Sequence, residues 1–135
     1  MSRLNVPVEE FTTPDPVTAT EDQSLGELRQ LMGERGIRHL PVTRDGKVVG
    51  LISERDVRVA SALNEEERHL VRASDIMAED PVSVTASQPL DEVAFLMSER
   101  KIGSVIVNEE DGKLLGIFTA TDALNALIEV LRRQA

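Results

Sequence analysis

The chain contains itself twice. Residues 15–43 align without a gap on residues 80–108 at an offset of 65, pairing Asp15/Asp80, Pro16/Pro81, Val17/Val82, Thr20/Thr85 and Gln23/Gln88. The register continues through Leu25/Leu90, Glu27/Glu92, Leu31/Leu96 and Met32/Met97, then Glu34/Glu99, Arg35/Arg100, Ile37/Ile102 and Val42/Val107. One added residue in the next turn moves the offset to 66, and Gly46/Gly112, Lys47/Lys113, Gly50/Gly116 and Asp56/Asp122 then coincide. Similarity that holds register this long is the mark of duplication, so any fold proposed for one half must serve the other.

Both copies obey one grammar. An Asp-Pro turn leads to a short β-type run, Val17–Thr20 or Val82–Thr85. A helix follows, with Leu25, Leu28, Leu31 and Met32 on one side, or Leu90, Val93, Leu96 and Met97. Ser24 stands at an N-cap position and Pro89 at a first-turn position. Gly36 can end the first helix; Lys101 takes its place in the second copy, with Gly103 two residues on. Two apolar strands come next, His39–Thr43 with Val48–Ser53 and Ser104–Asn108 with Leu114–Thr119, joined by turns at Asp45-Gly46 and Asp111-Gly112. A second helix begins near Glu54 and near Ala120. The fold class is therefore α/β (α+β by some schemes), with two β-α-β-β-α repeats.

Strands this apolar are expected to be buried on both faces. A unit of roughly 50 residues buries little surface alone, so the repeats are expected to pack sheet to sheet with pseudo-two-fold symmetry. The sequence divides into a first repeat at residues 8–62, a linker helix at 63–74 and a second repeat at 75–135. The stretch from about Val57 to Ile76 has helical spacing at Ala60, Leu63, Leu70 and Val71 around Glu65-Glu66-Glu67-Arg68, which suits a solvated spacer helix.

Composition removes several function classes. The net charge is −9 with Lys and Arg interleaved, and Phe11, Phe95 and Phe118 are the only aromatic residues. Nucleic acid needs clustered cations and stacking platforms, so it is not an expected partner. No apolar run approaches a bilayer span and the N-terminus lacks a secretory pattern, so a cytoplasmic location away from membrane is expected. There is no cysteine and only two histidines, which argues against disulfides and zinc. No nucleophile elbow, phosphate loop, dinucleotide fingerprint or His-Glu-x-x-His occurs, so no catalytic residue and no enzyme activity is expected. Glu65-Glu66-Glu67 and Glu109-Glu110-Asp111 suit solvated faces better than acid–base pairs.

One pattern in each copy carries chemistry. Gly50-Leu51-Ile52-Ser53-Glu54-Arg55-Asp56 and Gly116-Ile117-Phe118-Thr119-Ala120-Thr121-Asp122 both end a strand and start a helix. The Ser53 or Thr119 hydroxyl can cap that helix, whose start favours an anion. Asp56 and Asp122 can each accept two hydrogen bonds. The glycines leave room for close backbone approach. The same spacing is also a plain acidic capping box, and that alternative stays open.

This duplicated pattern, with Arg38-His39-Leu40-Pro41-Val42 before one copy and Asp75-Ile76-Met77 before Asp80-Pro81-Val82, resembles the tandem pair of cystathionine-β-synthase-type (CBS) domains, or Bateman module. The likeness covers about Val8 to Leu124. It implies ligand sites in the cleft between the repeats, each joining the Ser/Thr-x-x-Asp of one repeat to the first and middle strands of the other. One site would combine Thr119, Thr121 and Asp122 with Val17, Arg38, His39 and Pro41. The other would combine Ser53, Arg55 and Asp56 with Val82, Gly103, Ser104 and Ile106. The first gains Arg38 and His39 for a phosphate chain and is expected to be the better of the two; His39 also suits a half-buried strand position or a pH sensor.

The resemblance implies a regulatory module that needs no cofactor, binds adenosine nucleotides (AMP, ADP or ATP) and signals to a separate enzyme or transporter. Two alternatives stand beside it: a ligand-free structural or dimerisation module, and a sensor of S-adenosylmethionine, NAD or a cyclic dinucleotide. On the last helix, Ala123, Leu124, Leu127, Ile128 and Leu131 form an apolar stripe that Ala126 and Val130 widen. Its plain role is packing on its own repeat; the resemblance implies a homodimer.

Overall fold

The computed structural model describes residues 5–133. After a 3₁₀ turn at Val8–Phe11, the elements are β1 (Thr13–Pro14), β2 (Ala19–Thr20), α1 (Leu25–Arg35), β3 (His39–Arg44), β4 (Lys47–Ser53) and α2 (Glu54–Ala60). They continue as α3 (Glu65–Leu70), α4 (Ala73–Ile76), β5 (Ala78–Glu79), β6 (Ser83–Thr85), α5 (Leu90–Arg100), β7 (Ser104–Asn108), β8 (Leu114–Thr119) and α6 (Ala120–Arg133). The β-α-β-β-α grammar is present in both halves. No helix among the described residues is long and apolar enough to cross a membrane.

The chain folds as two compact units, Pro16–Pro81 and Met1–Asp15 with Val82–Ala135. Each holds one four-stranded mixed sheet. In the first the order is β2-β3-β4-β5; in the second it is β1-β8-β7-β6. The lead-in strand of each sequence repeat therefore closes the sheet built mainly by the other repeat: β1 pairs antiparallel with β8, and β5 with β4.

The local signals act as the residue types dictate. Ser24 accepts from the Glu27 N–H at 3.2 Å, and the Glu27 carboxylate accepts from the Ser24 N–H at 3.3 Å, closing a capping box on α1. Pro89 takes the cap position itself, and α5 begins at Leu90. Gly36 ends α1 with φ 62°, and Lys101 ends α5 in the same left-handed conformation at φ 55°. The β3–β4 turn places Asp45 at φ 51° and Gly46 at φ 79°, the sign pattern of a type I′ hairpin.

Two glycines are fixed by their neighbours. A Cβ on Gly116 would lie 2.1 Å from the Thr13 carbonyl oxygen, and one on Gly50 would lie 2.3 Å from Met77 Sδ. The space kept open at these positions is filled by the chain's own lead-in segments.

Each unit has its own core. Leu28, Leu40, Val42 and Ile52 are fully buried in one; Val8, Val93, Val105, Val107 and Phe118 in the other. Every residue of β7 before Asn108 is buried, as its apolar run requires.

The connection departs from a single spacer helix. It breaks into the end of α2, α3 and α4 because short polar side chains intercept the backbone. Ser61 Oγ donates to the Val57 carbonyl at 2.7 Å as α2 stops. Asn64 Oδ1 accepts from the Glu67 N–H at 2.8 Å and starts α3. Asp75 Oδ2 accepts from the Arg72 N–H at 2.8 Å at the start of α4. The α3 segment buries no residue, and Leu70 is 78 % exposed.

The apolar stripe of α6 is only partly spent within its unit. Ala126 is buried and Ala123 and Val130 are half-buried, while Leu124, Leu127, Ile128 and Leu131 remain between 47 and 60 % exposed.

Candidate functional site

In the unit formed by residues 16–81, antiparallel pairing sets His39 opposite Ser53. The Glu54 N–H donates to the Arg38 carbonyl at 2.8 Å, tying the β4–α2 junction to the start of β3. Ser53 Oγ accepts from the Asp56 N–H at 3.1 Å, and Asp56 Oδ2 accepts from the Ser53 N–H at 2.8 Å. This is the capping box allowed by the spacing. Asp56 Oδ1 has no hydrogen-bond partner among the described residues. Arg38 is exposed, with its Nε 3.7 Å from Glu54 Oε2. Pro41 is buried in β3, Val17 packs half-buried on the core and Arg55 is exposed.

His39 is half-buried, and burial holds its imidazole below the ordinary value. The Arg38 charge pushes the same way and Asp56 opposes it. At neutral pH the ring is therefore uncharged, and Arg38 carries the fixed positive charge of this corner.

Beside Asp56, a depression of about 340 Å³ is lined by Arg55, Asp56, Val59, Ala60, Leu63 and Ile76. Its apolar members Val59, Leu63 and Ile76 are absent from the residue sets read from sequence; the helical pattern held Leu63 in a spacer helix.

The second unit repeats the arrangement with different chemistry. Ser104 pairs with Thr119, and the Ala120 N–H donates to the Gly103 carbonyl at 2.9 Å. Asp122 Oδ2 accepts from the Thr119 N–H at 2.9 Å and from its hydroxyl at 3.0 Å. The Asp122 N–H is 3.2 Å from Thr119 Oγ1. Ser104 and Ile106 are buried, Gly103 and Thr121 are exposed, and Val82 is half-buried with its carbonyl accepting from the Ile106 N–H at 2.9 Å.

Thr13 completes this corner and was not legible from the motif. Its hydroxyl donates to Asp122 Oδ1 at 3.2 Å. The signal in the sequence was slight: Thr13 sits two residues before the Asp15-Pro16 turn, where the other copy has Ala78.

The structure thus gathers Val17, Arg38, His39, Pro41, Ser53, Arg55 and Asp56 in one unit and Val82, Gly103, Ser104, Ile106, Thr119, Thr121 and Asp122 in the other. Each set read from the resemblance takes residues from both. Among the described residues, no three His, Asp or Glu side chains converge to hold a metal ion.

Known proteins share this architecture. The family model described as the CBS domain matches residues 8–63 and 73–129. A CBS domain-containing protein of Dictyostelium discoideum is 31 % identical over 138 residues, covering 95 % of each chain. An inosine-5'-monophosphate dehydrogenase of Korarchaeum cryptofilum is 36 % identical over 114 residues, 84 % of this chain but only 23 % of the dehydrogenase. That relative is matched over a fraction of its length.

Among solved structures, AcuB from Vibrio cholerae superposes with a TM-score of 0.84 at 30 % identity, over 97 % of this chain and 96 % of that one. CBSX2 in complex with AMP gives a TM-score of 0.79 at 27 % identity, over 92 % and 97 % of the two chains. The CBS domain pair of MJ0100, in complex with 5'-methylthioadenosine and S-adenosyl-L-methionine, gives 0.79 at 27 % identity, over 90 % and 95 %. With a duplicated β-α-β-β-α unit, a capped Ser/Thr-x-x-Asp in each half and a family match over both halves, this chain belongs to the CBS-domain family and carries two CBS domains.

Proposed function

We propose that the chain is a regulatory module that binds an adenosine nucleotide, AMP, ADP or ATP, and signals its presence to a separate protein, an enzyme or a transporter. The observation that carries this reading is the carboxylate at each helix start. The backbone cap holds Asp56 and Asp122 in one orientation, and Asp56 Oδ1 is left to accept from a sugar hydroxyl. A carboxylate held in place before the ligand arrives loses little freedom on binding. Arg38 supplies the charge for a phosphate chain. The apolar walls beside Asp56 suit a base better than they suit water.

The ligands of the solved relatives support the chemical class. AMP, 5'-methylthioadenosine and S-adenosyl-L-methionine share adenine and a ribose with two free hydroxyls, and differ at the 5' position. The constant part of these molecules is the part that a carboxylate and an apolar slot would recognise. The same logic keeps S-adenosylmethionine and NAD as variants of the reading; a cyclic dinucleotide, whose ribose 3' oxygen is esterified, would offer the carboxylate one free hydroxyl beside its adenine. In our proposal the sites lie in the cleft between the two CBS domains, in the sets named from the resemblance, and the site containing Asp122, Arg38 and His39 is the stronger for a phosphate chain.

A second reading has its own observation. Both motifs close their caps with the chain's own atoms, so a structural or dimerisation module with unused motifs would have the same local geometry. One experiment separates the two. Calorimetric titration with AMP, ADP, ATP, NAD and S-adenosylmethionine is expected to show saturable binding of at least one of them. Heatless titrations, together with an unchanged melting midpoint in each ligand, support the structural module.

We further propose that the module is a homodimer in the cytoplasm, joined in part through the exposed leucines of α6. The two domains carry no catalytic group in this reading.

A further inference from the structure

A groove within residues 16–81 carries charge that the adenosine reading does not use. It measures about 460 Å³, lies between the start of α1 and the α3 segment, and is lined by Ser24, Arg29, Glu65, Arg68, His69 and Arg72 among others. Three separate elements deliver its arginines: Arg29 on α1, Arg68 on α3 and Arg72 at the cap of α4.

None of these three arginines has a carboxylate within 4.0 Å among the described residues, whereas Arg38, Arg44 and Arg133 each do. This is not for want of acids, since the chain has 24 Asp and Glu against 15 Lys and Arg. The acids near the groove are engaged elsewhere. Glu21 takes Arg44 in a two-pronged contact at 2.6 and 2.7 Å. Asp22 accepts from the Thr20 hydroxyl at 2.7 Å, and Glu27 from the Ser24 hydroxyl at 3.0 Å. Asp75 accepts from the Arg72 backbone N–H.

Two opposing features remain. Glu65 is the one carboxylate in the lining. Asp22 also feels Arg72: its carboxyl is held below the ordinary value first by the Thr20 hydrogen bond and in smaller part by that charge. Arg68 spends one N–H on the Ser61 carbonyl at 3.4 Å and keeps the rest of its fork.

Three guanidinium groups around one groove repel one another and gain most from an anion that can take several forks together. A phosphate group offers planar pairs of oxygens that match the guanidinium edge. We propose that this groove binds a small, multiply charged phosphate anion through Arg29, Arg68 and Arg72, at a site separate from the carboxylates assigned to adenosine.

The probe is inorganic pyrophosphate, titrated calorimetrically into the full chain at constant ionic strength. Saturable binding at one site per chain is expected. The R68Q/R72Q variant should weaken it about a hundredfold, about tenfold for each charge-assisted pair removed. The R68K/R72K variant, which keeps charge and loses the fork, should fall between. E65Q should tighten binding a few-fold. Equal melting midpoints without anion establish that the Arg→Gln variant is folded; if it is not, R68K/R72K carries the comparison. The proposal is overturned if pyrophosphate shows no saturable binding at millimolar concentration, or if R68Q/R72Q or R68K/R72K binds as the parent does. Because the probe has no adenosine, failure here leaves the adenosine reading standing, and the reverse also holds.

Discussion

Thr13 and Asp122 are 109 residues apart in the chain, yet the Thr13 hydroxyl lies 3.2 Å from one carboxylate oxygen and 3.4 Å from the other. In the other unit Ala78 occupies the matching place, since Thr13 pairs with Ile117 as Ala78 pairs with Leu51. The two carboxylates therefore sit in one backbone frame with unequal company. Asp122 gathers donors from Thr119 and Thr13, while Asp56 takes the Ser53 N–H alone.

Removing either carboxylate should cost stability, since each closes a cap worth about 1 kcal/mol. Asp122→Ala should cost more than Asp56→Ala, because it leaves more donors to water. In binding, Asp122→Ala is expected to weaken a phosphorylated adenosine ligand more than Asp56→Ala does. Denaturant melts give the first ranking and calorimetry the second; the opposite order in calorimetry would overturn the assignment of the stronger site.

His39 gives a pH signature. Its folded value lies below the ordinary histidine value, so the unfolded chain binds more protons at mildly acid pH. Stability should therefore fall as pH drops below about 6.5, until the folded imidazole itself is charged. A bound phosphate would favour the charged ring against burial and Arg38, so nucleotide affinity should rise as pH falls from 7.5 to 6. His39→Gln should flatten both slopes; a binding slope that survives the substitution places the proton elsewhere.

The left-handed residues ending α1 and α5 make a matched pair. Lys101→Gly should stabilise the chain by about 0.5–1 kcal/mol, because glycine takes positive φ without a Cβ clash. Gly36→Lys should destabilise it by a similar amount. Thermal melts with both variants read the difference directly.

The glycine contacts predict a ranking as well. At Gly116 a new methyl would meet the Thr13 backbone, which can retreat only by pulling β1 from β8. At Gly50 it would meet the Met77 side chain, which can turn aside. Gly116→Ala should therefore lower the melting midpoint well beyond Gly50→Ala. A larger loss at Gly50 would mean that Met77 is held more firmly than a flexible thioether should be.

Charging the open face of α6 tests self-association. In the proposed homodimer, Leu124→Glu with Ile128→Glu should yield a monomer by sedimentation with the fold intact, since the two residues are 60 % and 47 % exposed in the single chain. An unchanged mass would remove α6 from the interface.

The strands and main helices were legible because two different periodicities alternate cleanly: apolar runs at Leu40–Val42 and Val105–Val107, and three-to-four spacing at Leu25, Leu28 and Met32. Repetition then confirmed each half with the other. The linker was misleading because Ala60, Leu63, Leu70 and Val71 keep helical spacing, while Ser61, Asn64 and Asp75 hydrogen-bond the backbone and break the run. Sequence spacing shows what a helix could bury, not where a hydroxyl or amide will intercept it. The capped Ser53 and Thr119 motifs could be read because they are local. Thr13 could not, because its partner is brought near only by the pairing of β1 with β8.

That pairing has a consequence for how the molecule can be divided. Cut between its sequence repeats, the chain would give two fragments, each holding a strand that fits only the other's sheet and each with an unguarded rim on its own. The piece of sequence that was copied is thus not the piece that folds. A rearranged chain that begins at Pro16 and joins the end of α6 to the 3₁₀ turn would make both folding pieces continuous. Arg133 and Glu10, with Nη1 and Oε2 4.0 Å apart, already bring the end of α6 beside the 3₁₀ turn that such a splice would have to reach.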